Sequence, residues 1–87
     1  MSDELADASG ALREASELAD QHRERLYERS NALAELAAGD AQVDHGRLAR
    51  ETTKLHDIQE DLADEPATLV DEARELIATY REDLEGV

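Results

Sequence analysis

"DLADEPATLVDE", residues 61–72, holds Pro66, the single proline of the 87-residue chain, between Leu62 and Leu69. The fold turns on how this stretch is read. Inside a helix, Pro66 would remove one backbone hydrogen bond and press on the carbonyl of Leu62, at a cost of about 3 kcal/mol. It would also push Glu65 away from helical angles. At the start of a new helix it would cost little.

Working outward, leucines recur in sevens at Leu48, Leu55, Leu62, Leu69 and Leu76. An upstream series has the same period: Leu5, Leu12, Ala19, Leu26 and Leu33, with Ala8, Ala15 and Leu36 three further on. Both are helical stripes. Ser2 or Asp3 can cap the first helix, and Gly10 weakens it by about 1 kcal/mol without shifting its phase. Gly39 stands where a C-terminal glycine cap belongs. Asp44 suits an N-cap, and Val43 and Leu48 have the spacing of a hydrophobic staple. These signals predict one helical domain over residues 1–87, with helix one at about 3–38, a loop at 39–44, and a second arm at about 45–85 interrupted near 64–66.

Folding the chain antiparallel at residues 40 and 41 brings Leu33 to Leu48, Leu26 to Leu55, Ala19 to Leu62, Leu12 to Leu69 and Leu5 to Leu76. The arms would be about 55 and 60 Å long. The all-α reading is therefore a long antiparallel hairpin, its second arm kinked or broken at Pro66. The alternative is a compact three-helix bundle. After Pro66 the stripe widens to include Val70, Ala73, Ile77, Tyr80 and Leu84. Apolar area beyond one seam predicts a homodimer, two hairpins forming a four-helix bundle. The interaction seam comprises Leu5, Leu12, Leu26, Leu33, Leu48, Leu55, Leu62, Leu69, Leu76, Val70, Ile77, Tyr80 and Leu84.

Twenty-three acids against nine bases leave a net charge of −14, and eight of the bases are arginine. Many carboxylates with one lysine and a modest apolar content suggest a high-salt cytoplasm, where screening relieves repulsion. Cysteine is absent, which excludes disulfides and thiolate sites and suits a reducing compartment. No apolar run reaches the roughly 20 residues of a membrane span. "MSDELADAS" lacks the basic start and apolar core of a signal peptide. The expected location is cytoplasmic, with no membrane partner.

The leucine repeat has no strongly basic helix beside it, as DNA binding would require, so no nucleic-acid partner is expected. "QHRERLYER", residues 21–29, interleaves His22, Arg23, Arg25 and Arg29 with Glu24 and Glu28. It reads as a solvated helix face, and Arg13–Glu17, Arg47–Glu51 and Arg81–Glu85 read as ordinary pairs four apart. Di-metal bundles need Glu three residues before His, but Ala19, Gln42 and Thr53 precede His22, His45 and His56 at that distance. His56 and Glu60 alone are a weak pair, and no metal or cofactor is expected. There is no nucleophile elbow and no Gly-rich phosphate loop. The chain does not read as an enzyme, and no catalytic residue is assigned.

"ELAAGD" closing helix one, "GRLARE" opening the next and "EPATLVDEARELIATYRED" near the end resemble small, acidic, all-helical proteins of haloarchaea, a family of unknown function. The resemblance covers most of the chain and implies a haloarchaeal cytoplasm without an assigned activity. Two functions follow as expectations. The first is a non-enzymatic oligomerisation or protein-interaction module acting through its Leu/Ala seam. The second is an acidic binder that sequesters a basic partner by mimicking nucleic acid.

Overall fold

The computed structural model describes residues 3–39 and 44–85. Among them are four helices and no strand: α1 (Asp3–Leu18), α2 (Arg23–Ala38), α3 (His45–Gln59) and α4 (Asp64–Glu85). The all-α expectation holds, but the two-arm rod does not. Helix one is divided at residues 19–22, and the second arm reverses at 60–63 instead of kinking at 64–66. The longest dimension is 39 Å, far short of the hairpin's expected length.

Each helix packs against its neighbours in chain order, and α1 closes the ring against α4. Cross-helix pairs fix the directions. The Ser9 hydroxyl donates to the Ser30 carbonyl at 2.7 Å between α1 and α2. Arg29 meets Glu51 between α2 and α3, and Gln59 reaches Ala67 and Arg74 between α3 and α4. Glu4 faces Asp83 between α1 and α4. All four pairings are antiparallel, so the chain forms an up-down-up-down bundle. The four-helix arrangement expected of two copies is built by one.

The caps that depend on local chemistry sit where the sequence places them. Gly39 adopts φ 84°, and its N–H reaches the carbonyls of Glu35 and Leu36. The Asp44 side chain accepts the Arg47 N–H at 2.7 Å. Ser2 and Val43, also read as end signals, lie outside the described residues.

Pro66 lies in the first turn of α4, where backbone N–H groups have no partner within the helix. Its missing donor therefore costs nothing, and its buried ring helps close the reversal. The turn is held from α3 by Gln59. Its amide donates to the Ala67 carbonyl at 3.0 Å, and its oxygen accepts from Arg74 at 2.9 Å.

The other reversal has neither glycine nor proline. It turns at His22, the single non-glycine residue with positive φ among the described residues, at φ 64°. Histidine tolerates this left-handed region better than most side chains, though still at a cost. Arg23 closes the end of α1 by donating from Nε to the carbonyls of Ser16 and Ala19, at 3.1 and 3.2 Å. His22 Nε2–H donates to Asp61 at 3.1 Å, tying the two reversals together at one end of the bundle. Its Nδ1 accepts from Arg25 at 3.2 Å, the bonding pattern of the neutral Nε2–H tautomer.

Burial explains why the chain doubles back. Leu5, Leu12, Leu26, Leu33, Leu48, Leu55, Ile58, Val70 and Ile77 all lie inside one bundle. Ala8, Ala15, Ala19 and Ala73 are buried among them, and their small side chains let the helices approach closely. A rod would leave one side of these residues in water. Each large aliphatic side chain gains about 1.5–3 kcal/mol on full burial, enough together to outweigh one strained residue.

Candidate interaction surface

The sequence-derived seam divides into two sets. Leu5, Leu12, Leu26, Leu33, Leu48, Leu55, Val70 and Ile77 are fully buried and belong to the core of the single chain. Leu62, Leu69, Leu76 and Tyr80 are half-buried at its edge. The side chain of Leu84 lies outside the described residues. Most of the seam is thus consumed by intramolecular packing, and what reaches the surface is the α4 edge together with Leu18, 48% exposed at the end of α1.

Leu18 and Leu69 share a shallow groove between α1 and α4, bordered by Glu14, Asp64, Glu65 and Thr68. Further along α4, Leu76 lies in a second shallow depression with Glu72, Glu75 and Thr79. The seven-residue spacing sets Leu69 and Leu76 on one side of α4, two turns apart. Carboxylates crowd the positions between them because α4 needs a solvated flank beside its buried Val70, Ala73 and Ile77.

Charge is unevenly distributed over the bundle. Helix α1 has five carboxylates against Arg13, and α4 has eight against Arg74 and Arg81, so this adjacent pair carries −10 of the −14. Helix α2 balances three acids with three arginines, and α3 carries a net +1 from Arg47, Arg50 and Lys54 against Glu51 and Asp57. One side of the molecule is strongly acidic and leucine-lined, and the other is close to neutral.

Two polar features depart from the sequence reading. Glu51 is only 4% exposed and is gripped by Arg29, whose Nη1 lies 2.9 and 2.6 Å from its two oxygens. Lys54 stands 3.7 Å from the same carboxylate. Arg29 is therefore not part of a solvated face, and Glu51 is held across helices by Arg29. The antiparallel register that pairs Leu26 with Leu55 puts residue 29 beside residue 52, so this contact was implicit in the leucine spacing. Tyr27, by contrast, remains 48% exposed with the Arg13 guanidinium 5.8 Å from its ring centre.

The second feature is Glu4, whose Oε2 is shut off from solvent without a hydrogen-bond partner. Burial raises its pKa above the usual carboxylate range, and the charge of Asp83, a hydrogen bond with Asp83 and the charge of Asp3 add to the shift. The folded state therefore holds this proton more tightly than the unfolded chain. Stability from this site is present at low pH and falls as pH rises through the interval between the two pKa values. Glu4→Gln should flatten that part of the stability–pH curve, seen as a smaller loss of melting temperature than in the parent as pH rises above the ordinary glutamate value of 4.5. Parallel curves would show that Glu4 is not the group responsible.

His56 Nε2 lies 3.3 Å from Glu60, and both side chains are exposed. Among the described residues no group of three or more His, Asp and Glu is placed to hold a metal ion. None of the described helices is long and apolar enough to cross a membrane.

Among curated proteins and solved structures, nothing matches this chain. A family model does match, over residues 1–83, nearly the whole bundle from α1 into the last turns of α4: the chain belongs to DUF7553, a family of unknown function.

Proposed function

We propose that this protein is a non-enzymatic interaction module that captures a basic, amphipathic partner helix on its α1/α4 face. The observation that carries this reading is the coincidence of −10 of charge with the half-buried Leu69 and Leu76 and the exposed Leu18. A helix presenting leucines at i and i+7 between lysines or arginines would place its apolar residues in the two depressions and its cations against Glu14, Glu65, Glu72 and Glu75. Apolar contact supplies adhesion, while the surrounding carboxylates select the partner's sign.

The proposal extends to a high-salt cytoplasm, where screening weakens the charge contribution and the apolar contacts of Leu18, Leu69 and Leu76 carry the remaining affinity. Self-association remains the second reading, favoured by the same half-buried leucines. Two copies meeting face to face on α1/α4 would oppose like charges, so docking of that kind requires molar salt.

The test uses a labelled Leu/Lys amphipathic peptide and fluorescence anisotropy. Binding should be tight in dilute buffer and weaken at 0.5 M KCl. The triple variant Glu65→Lys, Glu72→Lys, Glu75→Lys should abolish it, while Glu24→Lys and Glu28→Lys on α2 should leave most of it. Equal loss from both sets would mean that net charge alone acts, and the α1/α4 assignment would fail.

A further inference from the structure

We propose that α1 exchanges between two copies of the chain, with residues 19–22 opening into continuous helix to give a swapped dimer. Three observations converge on this hinge. The apolar series Leu5, Leu12, Ala19, Leu26 and Leu33 keeps its sevenfold phase straight through the reversal. Continuous helix across residues 19–22 would therefore leave both buried faces aligned along one side. The segment Ala19–Asp20–Gln21–His22 contains no glycine or proline, so nothing in its chemistry forbids helix. The closed form also places His22 at φ 64°, with no side-chain cap for α2, a strain that an open hinge releases.

The rest of the fold makes the exchange specific. In the opened protomer, α1 leaves its own α2 and α4 and occupies the same place on the partner. The core contacts of Leu5, Ala8, Leu12 and Ala15, and the Ser9–Ser30 hydrogen bond, are re-formed between chains. Two opened α1–α2 helices lie antiparallel, so the assembly closes with twofold symmetry. Short hinges under strain favour such exchange. The hydrogen bonds lost are local to the hinge, among them Arg23 to the Ser16 and Ala19 carbonyls, and His22 to Asp61. Helical backbone bonds replace the first set. The reversal at 60–63 does not open in the same way, because Pro66 cannot donate to Leu62 and Gln59 ties α3 to α4. The two reversals are alike in position and opposite in character.

The hinge residue provides the test. Each variant is unfolded, refolded at high protein concentration and sized by chromatography with light scattering. His22→Leu disfavours the left-handed turn and favours helix, whereas His22→Gly does the reverse. The dimer-to-monomer ratio should differ by about tenfold or more between them, with the parent in between. His22→Ala is a second helix-favouring variant should the leucine form prove insoluble. A cysteine pair at Arg13→Cys and Tyr27→Cys, exposed positions that face each other across α1 and α2, joined by a short bis-maleimide in the isolated dimer, distinguishes exchange from surface docking. Covalent dimers on a denaturing gel are expected. Indistinguishable ratios in the glycine and helix-favouring variants would overturn the proposal, as would cross-links confined within single chains.

Discussion

Replacing Arg29 with alanine should destabilise the bundle by about 3 kcal/mol, near the low end of what breaking a buried ion pair costs. The loss arises from what is left behind. Glu51 would stay only 4% exposed, with the guanidinium contacts at 2.9 and 2.6 Å gone and its carboxylate oxygens left without that partner. Two details keep the effect at the lower end. Arg29 is itself 20% exposed, and Lys54 stands 3.7 Å from the Glu51 carboxylate. Removing both charges should behave differently. The double variant Arg29→Leu, Glu51→Leu leaves no unpaired carboxylate and should lie within about 1 kcal/mol of the parent. Urea unfolding followed by circular dichroism measures both. If Arg29→Ala proves as mild as the double variant, Lys54 or water carries the charge of Glu51.

The second large effect distinguishes two leucines that the sequence treats as equivalent partners. Leu12 is fully buried, and Leu12→Ala should cost about 2–5 kcal/mol through lost apolar contact and the cavity left behind. Leu69 is half-buried at the edge of the core, and Leu69→Ala should cost less than half as much under the same conditions. The comparison bears on assembly as well as folding. Equal costs, measured by urea titration at several protein concentrations, would mean that a second molecule covers Leu69. A melting temperature that rises with protein concentration in the parent but not in Leu69→Ala would identify the α4 edge as that contact.

The sequence expresses periodicity well and reversals poorly. Heptad spacing identified the buried leucines of α1, α2 and α3, because whichever way the chain folds the same face seeks burial. In α4, however, the core is Val70, Ala73 and Ile77, and the heptad residues Leu69 and Leu76 lie at its edge. Gly39 and Asp44 marked their helix ends because left-handed backbone and side-chain capping have local chemical signatures. Residues 19–22 have no such signature. A four-residue reversal takes up about as much sequence as one helical turn, so Ala19 and Leu26 re-enter in phase, and the pattern looks continuous. At Pro66 the signal is present, since proline is harmless only in a first turn, but it competes with a sevenfold leucine phase that runs through it unbroken. The acidic α1/α4 face was hidden for another reason. Total charge was evident, but its concentration on one side depends on which helices become neighbours. The Arg29–Glu51 bridge joins residues 22 apart and becomes visible only once an antiparallel register is assumed.

The closure of α1 against α4 predicts an order of folding. The two hairpins, α1 with α2 and α3 with α4, form from residues near in sequence, whereas the α1/α4 contact joins opposite extremes of the chain. Loop-closure entropy therefore favours early hairpins and a late docking step. Until that step, the apolar sides of both hairpins face water, and α1 has not met its last neighbour. That interval is when chain concentration decides whether α1 docks on its own α4 or on another molecule's. Slowly diluted and rapidly concentrated preparations of one sequence would then retain different assemblies, separated by a kinetic barrier set at the moment of folding.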